Sequence, residues 1–460
     1  MIRRRSLVAR LAAATATCLG LGAIAVVGSG LPPFSVPAAH AALGAGGEYH
    51  PLTPGRILDT RAANSPTVGA QRFGRVFDVQ LTGAPTLTGG ASGIPASDVL
   101  AVVANVTVVD PQRPGFLTSY PSGSPLPLAA NVNFAPGRNV PNLAILRPGP
   151  NGRVSIYLGP PHASGTAHVV IDVVGWISTS NAGTRGARLV SLAPGRILDT
   201  RDGTGRAGAL GQGQSFRLQI RGADAVSPSR PDYVPTGGDV SAVLLNLAAT
   251  EPTTSTHISV VPEQPNGPPS TASLNVVGGQ TKSNLVIVPV GADGGIHFYN
   301  NSGSVHLVAD VVGYFRSGVA NETRAGRIVP LASPFRVLDT REPGFGSARL
   351  GPGQAETWEF RPFVENVSLG GVWVGELDAV IMNLTATELT FPYPLGNATH
   401  MTVYPGGSGL PLAANLNLTV GEDVPNLVVA RLSGDDRISV FNNSGFVHYV
   451  ADAGAVVLSD

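Results

Sequence analysis

Two short strings bring charged side chains together often enough to be read as chemistry. The first is Pro54-Gly-Arg-Ile-Leu-Asp-Thr-Arg61, which returns as Pro194-Gly-Arg-Ile-Leu-Asp-Thr-Arg201 and as Pro334-Phe-Arg-Val-Leu-Asp-Thr-Arg341. The second sets a histidine four residues before an aspartate: His168 and Asp172, His306 and Asp310, His448 and Asp452. Residues four apart on an extended strand share a face. With Asp59, Asp199 or Asp339 as a second carboxylate, each set could supply the acid and base of a hydrolase acting on a glycan or a peptide.

The same residues support a structural reading. An aspartate inside Ala167-His-Val-Val-Ile-Asp-Val-Val-Gly-Trp176 is expected to be buried, and a buried carboxylate needs a charged or multi-donor partner. Strict alternation places His168, Val170, Asp172, Val174 and Trp176 on one face of that strand. The arginines of the opening phrase can bind a carboxylate through two parallel N–H bonds. Arg56 or Arg61 is therefore expected opposite Asp172, Arg196 or Arg201 opposite Asp310, and Arg336 or Arg341 opposite Asp452. No serine or cysteine recurs in a nucleophile setting, so the ionic network is preferred to the catalytic reading and no catalytic residue is assigned.

Other chemistries fit less well. Leu-Asp-Thr precedes a glycine in aspartic proteases, where the backbone must approach closely; here arginine follows, and three copies stand where a dyad needs two. Asp199-Thr-Arg-Asp202-Gly203 spaces oxygens like part of a calcium loop, but its counterparts carry Ala62-Ala63 and Glu342-Pro343. One histidine per closing strand gives no zinc spacing, so neither metal nor cofactor is expected. Asparagines also recur: Asn105, Asn246 and Asn383 in one strand, Asn133, Asn275 and Asn417 in a second, and Asn142, Asn284 and Asn426 at the start of a third. They could orient sugar hydroxyls, but the tryptophans Trp176, Trp358 and Trp373 hold no repeated position as a stacking platform. Service to neighbouring backbone groups is the preferred role.

The elements that must position these residues repeat with them. Asp59, Asp199 and Asp339 stand 140 residues apart twice over (199 − 59 and 339 − 199), a step too long for solenoid or propeller repeats. Three modules follow, at 49–178, 187–318 and 326–460, with short polar joints that permit some hinge motion. Inside a module the period is two: Phe216, Leu218 and Ile220 alternate with Arg217 and Gln219. A strongly apolar strand follows in each copy, as in Val99-Leu-Ala-Val-Val-Ala-Asn-Val-Thr107. Asn300-Asn-Ser-Gly303 between two apolar runs marks a hairpin. Each module is expected to hold eight to ten strands and no helix, which is an all-β fold of three tandem, jelly-roll-like β-sandwiches, with small β-barrels as the alternative. In module three, Asp452-Ala-Gly-Ala-Val456 departs from the pattern, and a frayed or differently packed last strand is expected.

Residues 1–41 read as an export signal. Arg3, Arg4, Arg5 and Arg10 precede a weakly apolar run, and Ala39-His40-Ala41 offers a cleavage site, with Sec favoured over Tat. Cys18, the one cysteine, lies inside that segment, so the mature chain forms no disulfide. No later stretch is apolar enough for a transmembrane helix. Removing four arginines leaves 26 basic against 30 acidic residues, a balance that argues against nucleic acid as a partner. Lys282, the one lysine, is given no chemistry.

The opening phrase, the Asn-Leu-Thr strand, the Asn-Leu-Asn and Pro-Asn-Leu-Val pair and the closing Asp-Val-Val-Gly-Tyr-Phe together resemble a repeat module of secreted actinobacterial proteins. The resemblance spans nearly all of the mature chain and implies an extracellular β-module of unassigned function. The expected protein is a secreted, non-catalytic one that meets a cell-wall glycan or a protein surface. Its ligand choice is expected in the divergent loops 62–72, 222–235, 361–376 and 391–397.

Overall fold

The computed structural model describes residues 46–160, 164–179, 182–226, 229–320, 322–342, 348–360, 377–392 and 396–459. The expected signal segment, Cys18, Trp373, the loop 361–376 and part of the loop 391–397 lie outside them.

Strands and turns make up the described residues, without an α-helix among them. Each module has eight principal strands in two four-stranded antiparallel sheets. In module one the inner sheet runs Tyr49–Asp59, Thr166–Ser178, Val99–Val109, Val140–Leu146, and the outer sheet Val76–Gln80, Arg153–Gly159, Gly115–Pro121, Val132–Phe134. Counted along the module, these are orders 1-8-3-6 and 2-7-4-5. Modules two and three repeat both orders. That is a double-sheet jelly roll, and the sheets do not close into a barrel.

The long apolar run of the third strand has a direct cause: its sheet is buried on both faces. Val102, Ala104, Val106 and Val108 pack inside module one with Leu117 and Ile156. Leu100 and Val103 face the other way, into a core shared with Leu189, Leu244, Ile287 and Phe315 of module two and Ile328 and Ile381 of module three. Three inner sheets thus surround one apolar centre.

The joints do not act as hinges. Tyr49 pairs with Ala187, which makes the inner sheets of modules one and two continuous. Gly47 and Ile328 exchange backbone hydrogen bonds of 2.8 and 2.9 Å between modules one and three. The Gly326 N–H donates to Leu458 O, and the Leu189 N–H donates to Gly326 O. Backbone pairing and apolar burial at the joints override what short polar linkers would otherwise permit.

Two expectations about the closing strands need correction. A bulge between Val173 and Gly175 breaks the alternation, so Trp176 turns into its own module's core while Asp172 faces the junction. Gly175 lies there under the Tyr49 ring, where an added Cβ would stand 2.3 Å from ring atoms. In module three, Phe446–Leu458 is not frayed. It is a continuous strand paired on both sides, because ladder bonds do not require the missing side chains and Ala453, Ala455, Val456 and Val457 still bury fully.

Candidate functional site

The opening and closing strands lie side by side in register, with Arg56 opposite Asp172, Arg196 opposite Asp310 and Arg336 opposite Asp452. The first arginine of each phrase makes the fork. Arg56 Nε and Nη2 donate to the two oxygens of Asp172 at 2.8 and 3.0 Å. Arg196 does so to Asp310 at 2.9 and 3.4 Å, and Arg336 to Asp452 at 3.0 and 3.3 Å. The second arginine turns back instead: Arg61, Arg201 and Arg341 each chelate the aspartate two residues earlier, Asp59, Asp199 and Asp339, through Nε, Nη2 and the backbone N–H. Arg56 Nη1 also donates to Asp59 at 3.1 Å, which joins the two pairs.

Each histidine bonds to the neighbouring threonine rather than to the aspartate four residues on. His168 Nδ1 lies 2.9 Å from Thr60 Oγ1, His306 Nδ1 2.9 Å from Thr200 Oγ1 and His448 Nδ1 2.8 Å from Thr340 Oγ1. The same hydroxyls accept the N–H of Val169, Leu307 and Tyr449. The His–Asp pairs therefore share a strand without sharing a proton. Asp172, Asp310 and Asp452 are 2, 1 and 3% exposed, so the carboxylates are sealed. The calcium-like reading fails at Asp199, whose two oxygens are already taken by Arg196 and Arg201. Among the described residues no group of three or more metal-ligating side chains gathers.

The asparagines serve backbone groups both within a module, where Asn142, Asn284 and Asn426 donate to Asn131 O, Ser273 O and Asn415 O, and between modules. Asn105 Nδ2 donates to Ala272 O of module two, Asn246 Nδ2 to Ala414 O of module three, and Asn383 Nδ2 to Ala130 O of module one. A second set returns the connection. Asn284 donates to Asn105 Oδ1 at 3.1 Å, Asn426 to Asn246 Oδ1 at 3.1 Å and Asn142 to Asn383 Oδ1 at 2.7 Å. Asn426 Oδ1 accepts the Leu285 N–H, and Asn142 Oδ1 accepts the Leu427 N–H, each at 2.9 Å. The closing aspartates join this ring, as when the Ala130 N–H donates to Asp452 at 3.4 Å. Of the remaining asparagines, Asn417 Nδ2 donates to Ser283 Oγ at 3.3 Å, while Asn133 and Asn275 line a cavity.

That cavity, about 410 Å³, lies where the three modules meet. Arg138, Gln280 and Glu422 stand at equivalent positions, each four residues before the recurring Asn142, Asn284 or Asn426. Glu422 bonds to Arg138, to Gln280 Nε2 at 3.0 Å and to Lys282 Nζ at 2.8 Å. Desolvation and the Arg138 charge lower the Lys282 ammonium to about 7, against the pull of the Glu422 carboxylate. A second buried pair, Arg188 with Glu48 at 3.1 Å, crosses between modules one and two near their joint. Sequence reasoning missed both clusters. Their signal was unlike polar residues at like repeat positions.

The electrostatics of these arginine–aspartate pairs give a pH expectation. The Arg201 bond holds Asp199 below the ordinary carboxylate range; at Asp59 and Asp339 burial pushes upward, but Arg61 and Arg341 outweigh it. The stability these three contribute is present above the unfolded value of about 3.9 and is lost as pH falls through the folded value. Burial pushes Asp172, Asp310 and Asp452 up despite their arginines, which has the opposite sign: it favours the folded chain at low pH and fades as pH rises through the folded value. Acid destabilisation is therefore expected only below about pH 4, driven by the first set. Denaturant unfolding of Asp199→Asn across that range should show a shallower loss than the parent chain. An equal slope in both would refute the assignment.

No protein-family model matches the chain, and neither does any curated protein sequence. Among solved structures, the N-terminal CBM22-1–CBM22-2 tandem domain of Paenibacillus barcinonensis Xyn10C aligns at 12% identity over 57% of this chain and 98% of its own, with a TM-score of 0.16. The triple jelly roll fold of a turret assembly in an archaeal virus aligns at 8% identity over 88% and 91%, with a TM-score of 0.15. At such scores neither likeness bears on what this chain does.

Proposed function

We propose that this is a secreted, non-catalytic protein that holds or contacts the cell surface, with a cell-wall glycan as its partner. One observation carries the non-catalytic part: the arginines and aspartates repeated in all three modules are engaged in pairing the opening and closing strands, and the aspartates are closed off from solvent. What every copy keeps serves the fold, so recognition falls to what differs between copies. The export signal and the resemblance to secreted actinobacterial modules support the address.

Pull-down of the chain from Ala42 onward on purified cell-wall and polysaccharide fractions tests the reading. Retention on a wall polysaccharide is the expected result. Failure to be retained on any fraction, or retention only by wall proteins, would overturn the glycan assignment.

A further inference from the structure

The end of the body where the joints meet carries more positive charge than the fold needs. Glu48, Arg188 and Arg327 hold one register position in the three opening strands. The Ser178 N–H donates to Glu48 O, Arg188 lies opposite Arg316, and the Leu458 N–H donates to Arg327 O. Ser178, Arg316 and Leu458 each follow the closing aspartate of their module by six residues. Arg185 and Arg324 add two guanidiniums from the joints themselves. All of these charges bear on Arg327: burial pushes its guanidinium down, Arg188, Arg185 and Arg324 push it further, and Glu48 pulls it back. Even with Glu322 of the second joint included, four arginines stand against two carboxylates.

The fold explains Arg188. It is 2% exposed, donates from Nε to Glu48 at 3.1 Å and from Nη1 to Thr323 O at 2.6 Å, and so ties module one and the second joint to module two. The Gly186 N–H donates to the other Glu48 oxygen at 2.9 Å. With that carboxylate satisfied, Arg185 adds little to it. Its Nε stands 3.5 Å from Glu48 Oε2, and its side chain is 49% exposed. Nη2 donates to Val319 O, which holds the side chain across the joints, while Nη1 has no hydrogen-bond partner among the described residues. An exposed pair of this kind contributes little stability, and gathering like charges opposes it. An oxyanion from solvent answers both points: it accepts from outward N–H groups and balances the excess charge, and the guanidinium fork matches phosphate and carboxylate. Beside Arg185, a depression of about 580 Å³ lined by Thr184, Trp176 and parts of 83–95 has room for a sugar that carries such a group.

We infer that this joint face binds the anionic groups, phosphate or carboxylate, of an acidic polysaccharide through Arg185 and the arginines around it. This rests on the glycan reading above and narrows it to a charged polymer, met at a position where the three copies differ. A polymer suits the face because its next charged unit is already close when the first is bound, so that weak contacts add up. The mature chain is acidic as a whole, so a long and dense polyanion such as DNA meets repulsion beyond the face.

Calorimetry on the full mature chain provides the test, with polygalacturonate as the carboxylate probe, phosphomannan as the phosphate probe and dextran as the uncharged one. At least one acidic probe should bind, dextran should not, and binding should weaken as salt rises. The probe that binds identifies the anion. Arg185→Gln, which removes the charge, should weaken binding about ten-fold. Far-ultraviolet dichroism and melting confirm that the variant is folded; should it not fold, Arg324→Gln takes its place with the same expectation. Failure of both acidic probes to bind, equal binding of dextran or unchanged affinity in the folded variant overturns the inference. Tighter binding of duplex DNA than of either acidic probe overturns it in favour of nucleic acid. Retention on wall fractions separates the two claims: a folded Arg185→Gln chain retained as well as the parent removes this face and leaves the glycan reading standing. An acidic probe bound by a chain that no wall fraction retains removes the glycan reading and leaves the anion site.

Discussion

Replacing Asp310 by alanine should lower the unfolding free energy by about 3–5 kcal/mol, the usual effect of removing one partner from a buried ion pair. The carboxylate is 1% exposed and takes both donors of the Arg196 fork, and Arg196 itself is buried. After the change a guanidinium remains inside the inner sheet with only the more distant Asp199, 3.4 Å from Nη1, to balance it. The pair's net contribution is a separate matter. Replacing both residues together, Arg196→Met with Asp310→Leu, should recover most of the loss, because apolar side chains of similar volume commonly match or exceed a buried pair in stability. Chemical denaturation of the parent, the single variant and the double variant checks both statements. If the single variant is within about 1 kcal/mol of the parent, a threshold set by the value of an exposed pair, the Arg196–Asp310 pair does not hold the opening and closing strands together.

A larger effect is expected from separating the modules. The residues facing the shared centre, such as Leu244, Ile287 and Phe315 of module two, are buried only because modules one and three cover them. Expressed alone, residues 187–318 would expose that apolar face together with Asn246, Asn284 and a free sheet edge at Ala187. Such a face and edge lead to association. The isolated module should therefore aggregate or unfold, and the whole chain should melt in one transition. Calorimetry should give an unfolding enthalpy near 60 °C of roughly 0.7 kcal/mol per residue over the whole body within a single peak. A soluble monomeric middle module, or three resolved peaks, would refute this.

Much of the single module was legible in the sequence, because the cause lies within one copy. Alternation in Gln214–Ile220 marked a half-buried strand, and a carboxylate set among valines implied an arginine across the sheet. The choice between Arg56 and Arg61 was not legible, since both lie within reach and only register decides. The joints between modules were illegible for a different reason. Asn105 and Asn142 recur in the same way whether they bond inside a copy or to the next one, and repetition alone does not distinguish the two. The third strand did carry a clue: a run such as Val99 to Val109 without polar alternation implies burial on both faces, and one outer sheet can cover only one. Lys282 stood out as the one lysine, but a single residue has no repeat to show what it faces, so no chemistry could be read from it.

The asparagine ring also imposes a rule of number. Every module supplies half of each connection: an amide that donates forward and a backbone carbonyl that accepts from behind. Two copies would end with a donor and an acceptor facing water, and a fourth has no place in a ring that closes after three. Such head-to-tail contacts are those by which separate subunits form cyclic assemblies. A chain with one such module would find its missing halves in two further copies of itself, so covalent linkage here does the work that trimerisation would do there. Linkage also frees the three copies to diverge, which a ring of identical subunits cannot do. Arg138, Gln280 and Glu422 could become three different residues only after the copies shared one chain.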